Sequence, residues 1–133
     1  MNKARILGGI TVASVLMFAP AISAETLAHG IYKTVTDGSE GASTCTLVVR
    51  SMANVHKYGD AMFELESTGD GACNWSAVGV SKNYLITGAM VTNGGASAFM
   101  KLAFPFGPAG KRIEITTFDT DGTLRNKELF AKQ

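Results

Sequence analysis

The chain has 133 residues, 46% hydrophobic and 17% charged, with 15 Gly, 3 Pro and 2 Cys, a composition that fits one compact domain and excludes disordered and collagen-like chains. A formal net charge of +1 leaves neither a basic surplus to attract nucleic acid nor an acidic solvating tail. Two cysteines cannot build a disulfide-dense scaffold, so the fold needs an apolar core.

Residues 1–24 read as a secretory signal peptide. Asn2-Lys3-Ala4-Arg5 form a positive n-region, Ile6 to Phe18 an apolar run, and Pro20 breaks the run before Ala21-Ile22-Ser23-Ala24. The run falls short of the roughly 20 apolar residues a membrane helix needs, and cleavage is placed after Ala24. The mature part, residues 25–133, is expected to be a single β-barrel-like domain, periplasmic or secreted, with no integral membrane span. It carries ten Lys and Arg against eleven Asp and Glu, so it is nearly neutral. In an oxidising compartment Cys45 and Cys73 are expected to pair. Closing that loop stabilises the fold by roughly 3 to 4 kcal/mol in the chain-entropy account.

Apolar residues recur with period two along the mature chain, which predicts strands. In chain order these are Gly30–Thr36, Cys45–Ala53, Ala61–Ser67, Cys73–Ser81, Tyr84–Thr92, Ala96–Phe104, Ile113–Asp119 and Thr123–Phe130. Alternation is clearest at Phe63-Glu64-Leu65-Glu66, with the apolar pair facing a core and the carboxylates facing water. Asp37-Gly38, Asp70-Gly71, Asn93-Gly94-Gly95 and Asp121-Gly122 suit tight reversals, with Tyr58-Gly59-Asp60 and Lys82-Asn83 as further turns. The predicted fold is all-β: one small antiparallel barrel or sandwich of about eight strands in meander order, with closure favoured because it removes exposed edges.

No catalytic residue, metal site or cofactor is assigned. Cys45 and His56 suggest a thiol and base, but Cys73 is a better partner for Cys45. His29 and His56 with Asp37, Asp60 or Asp70 have the element types of a metal site without a compact ligand spacing. Asp119-Thr120-Asp121-Gly122 begins like a calcium loop, yet the later ligands are missing and the hairpin explains it. Asn74-Trp75-Ser76 fits the N-glycosylation pattern but overlaps a strand. Glu64 and Glu66 read as a solvated face rather than as a hydrolytic pair. Trp75 follows Cys73 by two residues and is expected to pack beside the disulfide.

The segment from Phe104 to Arg112 is the most unusual locally, combining Phe104, Pro105, Phe106, Pro108, Lys111 and Arg112 in one connection. Phe106, Lys111 and Arg112 are the candidate partner-binding residues, because stiff loops bearing aromatic and basic side chains suit protein interfaces. Phe104 continues the inward parity of Ala98, Met100 and Leu102 and is assigned to the core.

Size, the expected disulfide and the stretch from Leu65 to Cys73 (LESTGDGAC) resemble small periplasmic β-barrel inhibitors of secreted proteases and of lysozyme. The likeness is architectural, includes no inhibitory motif, and transfers no functional residue. The expected function is that of an exported, noncatalytic β-barrel that binds a protein partner in the envelope or extracellular space, as an inhibitor or immunity-like factor. The alternatives are a carrier of a small apolar ligand in a barrel cavity, with Ala77, Gly79, Gly88, Ala89, Ala96 and Ala98 leaving the space, and an enzyme with an unrecognised polar site.

Overall fold

Eight strands form in the computed structural model, which describes residues 28–36, 44–52, 61–107 and 109–133. They are β1 (Gly30–Thr34), β2 (Thr46–Ser51), β3 (Met62–Thr68), β4 (Trp75–Lys82), β5 (Leu85–Thr92), β6 (Ser97–Ala103), β7 (Arg112–Phe118) and β8 (Leu124–Lys132). Each pairs antiparallel with the next, and β8 returns to β1, with Thr34 opposite Phe130 and Tyr32 opposite Lys132. The molecule is therefore a closed meander barrel rather than a sandwich, and closure removes the exposed strand edges of an open sheet. The expected signal peptide, the turns at Asp37-Gly38 and Tyr58-Gly59-Asp60, His56 and Pro108 lie outside the described residues. No helix among the described residues is long and apolar enough to cross a membrane.

Alternation sets the inside and the outside on most strands, while β7 buries Ile115, Thr116 and Thr117 in succession. Along β3, Phe63, Leu65 and Ser67 are buried while Glu64, Glu66 and Thr68 are exposed. On the outer surface Arg50 reaches Glu64 at 3.9 Å and Glu66 at 3.6 Å, so these carboxylates belong to a solvated cross-strand charge cluster. The largest fully buried side chains include Tyr32, Phe63, Phe130, Ile86, Leu102 and Ile113. Most sit toward the end of the barrel that carries the β4–β5 and β6–β7 connections, so bulky side chains plug that end.

Most strand ends differ from expectation by one or two residues, and three of these shifts have a local reason. Cys73 does not open β4; Gly71–Cys73 make a 3-10 turn, with the Cys73 amide donating to the Asp70 carbonyl at 3.2 Å. Tyr84 is a turn residue, because Lys82 pairs directly with Leu85 and leaves Asn83 and Tyr84 as a two-residue hairpin turn with φ of 50° and 63°. β8 continues past Phe130 to Lys132 because the closing partner β1 and the start of β7 both extend its ladder.

Candidate functional site

At the end opposite the plug, the barrel opens into a cavity of about 610 Å³. Its apolar wall is made by Trp75, Met90, Ile115 and the two half-cystines, and its polar wall by Thr117, Arg125, Asn126 and Glu128. The rim comes from the β3–β4 and β5–β6 connections, through Gly71, Ala72, Asn74, Asn93 and Gly94.

The apolar wall is held covalently. Cys45, immediately before β2, is bonded to Cys73, immediately before β4, with a Cα–Cα separation of 5.2 Å. This pairing agrees with the sequence expectation and with an oxidising compartment. It ties the β3–β4 connection across β3 onto the start of β2. The Asn74 side chain then braces that connection from within, its amide donating to the Gly69 carbonyl at 2.7 Å. The Asn93 amide donates to the Asn74 carbonyl at 2.9 Å and links the two rim loops. Asn74 thus has a structural task in the loop. Trp75, only 7% exposed, faces inward one residue further on and lines the same cavity as the disulfide.

The polar wall owes its form to an irregularity in β8. Thr117 pairs with Asn126, but Phe118 pairs with Leu124, so Arg125 is an extra residue with no opposite number. A bulge of this kind redirects a side chain that regular alternation would point elsewhere, and Arg125 joins Asn126 on the cavity wall. Its guanidinium is held by Asp119 at 2.7 Å across the hairpin. Asp121 turns inward on its own loop, accepting the Thr123 amide at 2.9 Å. That backbone hydrogen bond keeps its carboxyl below the usual carboxylate range. Asp119-Thr120-Asp121-Gly122 is accordingly a braced hairpin.

Glu128 lies deeper, opposite Ile115. Burial pushes its carboxyl pKa upward, and the Thr34 hydroxyl opposes that shift without reversing it. The Thr34 oxygen accepts the Cys45 amide at 2.9 Å, and its single proton faces both the Cys45 carbonyl at 3.3 Å and Glu128 Oε1 at 3.4 Å. Glu128 Oε1 also lies 3.7 Å from Cys45 Sγ, a disulfide sulfur with no proton to give. Among the described residues no cation forms an ion pair with Glu128.

The sequence-assigned residues Phe106, Lys111 and Arg112 sit at the plugged end, away from this cavity. Phe106 is 64% exposed, and the Arg112 guanidinium lies 5.7 Å from its ring centroid, a cation–π arrangement. Both join Lys111 and Lys132 around a shallow cleft of about 370 Å³. Phe104 is partly buried against the core. None of Ala77, Gly79, Gly88, Ala89, Ala96 and Ala98 lines the large cavity. Elsewhere, His29 Nδ1 accepts the Ser51 amide at 3.4 Å, and no group of three metal-ligating side chains converges among the described residues.

Glu128 and Asn126 were the residues sequence reasoning overlooked. A signal was present, since both share the parity of Phe130, which places polar groups on the core face of β8. Comparison with protein-family models, with curated proteins and with solved structures gave no match, so the functional reading rests on these residues alone.

Proposed function

We propose that this chain is an exported, noncatalytic binding protein that holds one small ligand in the cavity at the disulfide end of its barrel. The observation supporting this reading is the 610 Å³ space walled by Trp75, Met90 and Ile115 and edged by a few polar groups. Its size falls within the range of small-molecule sites, which are mostly apolar with sparse orienting polar groups. Eight strands enclose an interior of the right width for one such ligand. Native mass spectrometry of gently purified protein tests the reading. A stoichiometric small molecule that leaves on denaturation supports it. Protein that is recovered empty, and that shows no change in Trp75 fluorescence with apolar or amphiphilic probes, overturns it.

A second reading is favoured by one observation at the other end: an aromatic ring left 64% exposed beneath a guanidinium. Here Phe106, Lys111 and Arg112 dock a protein partner in the envelope, in the manner of an inhibitor or immunity-like factor. Truncating an anchor of this type commonly costs about 2 kcal/mol of binding. Phe106→Ala and the double change Lys111→Ala with Arg112→Ala should weaken retention of such a partner while the protein stays folded. Phe104→Ala should instead lower stability. Loop variants that keep full affinity would remove this surface from consideration.

A further inference from the structure

The cavity has a chemical preference that its size alone does not set. Its two charged wall residues are not equivalent. Arg125 is already neutralised by Asp119 at 2.7 Å, whereas Glu128 faces Ile115 from β7, Thr34 from β1 and the disulfide from β2. None of these is cationic. The segment 37–43 that joins β1 to β2 contains no Lys, Arg or His in its sequence DGSEGAS. A half-buried carboxylate with no counter-charge beside it, next to apolar side chains, is stabilised when a cation joins it. Trp75 and Met90, on β4 and β5 across the barrel from β8, and Ile115 beside Glu128 on β7 offer apolar area and an aromatic face to whatever carries that cation.

The geometry points to an amphiphilic cation as the ligand: an organic amine whose ammonium group pairs with Glu128 while its apolar body packs on Trp75, Met90 and Ile115. This rests on the reading of the cavity as a small-molecule site and names the class it takes. The ammonium supplies hydrogen-bond donors, so the carboxylate gains both a charge partner and the bonds that the Thr34 hydroxyl delivers only at long range. A neutral isostere keeps the apolar contacts and loses the charge pairing. An anionic one meets Glu128 as a like charge.

The test uses the intact disulfide-bonded protein and three matched probes: 2-phenylethylamine, 2-phenylethanol and phenylacetate. Trp75 is the sole tryptophan of the chain, so its fluorescence reports the cavity directly. At about pH 7.5 the amine should bind roughly tenfold or more tightly than the alcohol, and phenylacetate more weakly than either. In Glu128→Gln, which removes the charge and keeps the shape, the amine's affinity should fall until amine and alcohol bind alike. Wild-type protein at about pH 4, where a carboxyl of raised pKa is protonated and the amine remains charged, should show the same loss of preference. Equal binding of amine and alcohol to the wild type, tightest binding of phenylacetate, or an amine preference that survives both Glu128→Gln and acidification would overturn the inference while leaving a small-molecule site in place. Absence of any binding would overturn the site and the inference together.

Discussion

Glu128 shows how one residue on the core face of a strand changes the character of a barrel. Its carboxyl is shifted upward by burial, so folding disfavours its charged form. The sign of the stability effect follows. Below the unfolded-state pKa the group is neutral in both states and there is no penalty. As pH rises through the raised folded-state pKa, the folded protein is progressively destabilised. Glu128→Gln should therefore melt above the wild type near neutral pH, and the gap should close on acidification below the ordinary glutamate range. A thermal-unfolding series from about pH 7.5 to pH 4 checks this, and a gap that widens on acidification would contradict it. That Glu128 faces inward is legible in its parity with Phe130. The position of Arg125 is not, because a one-residue bulge between Thr117 and Phe118 breaks the period-two rule at that point, and nothing in Leu124-Arg125-Asn126 marks it.

At the level of elements, strand existence follows the alternation closely, and the departures come from competing local geometry. Cys73 is drawn into a 3-10 turn beside its disulfide. Tyr84 is spent on a hairpin turn because the β4–β5 ladder runs to Lys82 and Leu85. The small residues have a role other than leaving space for a ligand. Gly79 and Gly88 lie opposite each other, and a Cβ on Gly79 would stand 2.6 Å from Ile86 Cγ2. One on Gly88 would run into the Val78 carbonyl. These glycines allow β4 and β5 to approach closely beside Ile86. Gly88→Ala should consequently destabilise the protein by about 1 to 3 kcal/mol, read as a lower denaturant midpoint. The disulfide acts over a longer span, its cysteines 28 positions apart in sequence. Replacing both cysteines by alanine should cost about 3 to 4 kcal/mol and loosen the rim that Asn74 and Asn93 join. Unfolding curves of the variant measure the first effect, and amide exchange at residues 69–75 measures the second.

Across the whole molecule, all-β architecture and meander order are readable from periodicity and turn chemistry, and closure is favoured by the general need to leave no exposed edge, but the seam that closes the barrel is not readable. Closure depends on β1 meeting β8, a pairing between segments about a hundred residues apart that leaves no mark on either one locally. That seam is short, with three registered pairs from Tyr32 to Thr34 against Lys132 to Phe130. It is extended by the Gln133 amide donating to the Ile31 carbonyl at 2.9 Å. During folding this is the contact with the largest loop-closure entropy to overcome, and proteins rich in such distant contacts fold slowly. Since β1 starts where β8 ends, a short Gly-Ser linker from Gln133 to Ala28, whose carbonyl accepts the Tyr32 hydroxyl at 2.8 Å, would turn the seam into one more hairpin. Opening the chain between Asn83 and Tyr84, at the same end of the barrel and away from the cavity, would complete a circular permutant. Stopped-flow refolding should show seam formation become an early, local event in this permutant, with the β4–β5 pairing now closing the barrel last. The slow step would thus move from one wall of the barrel to another while the cavity stays intact.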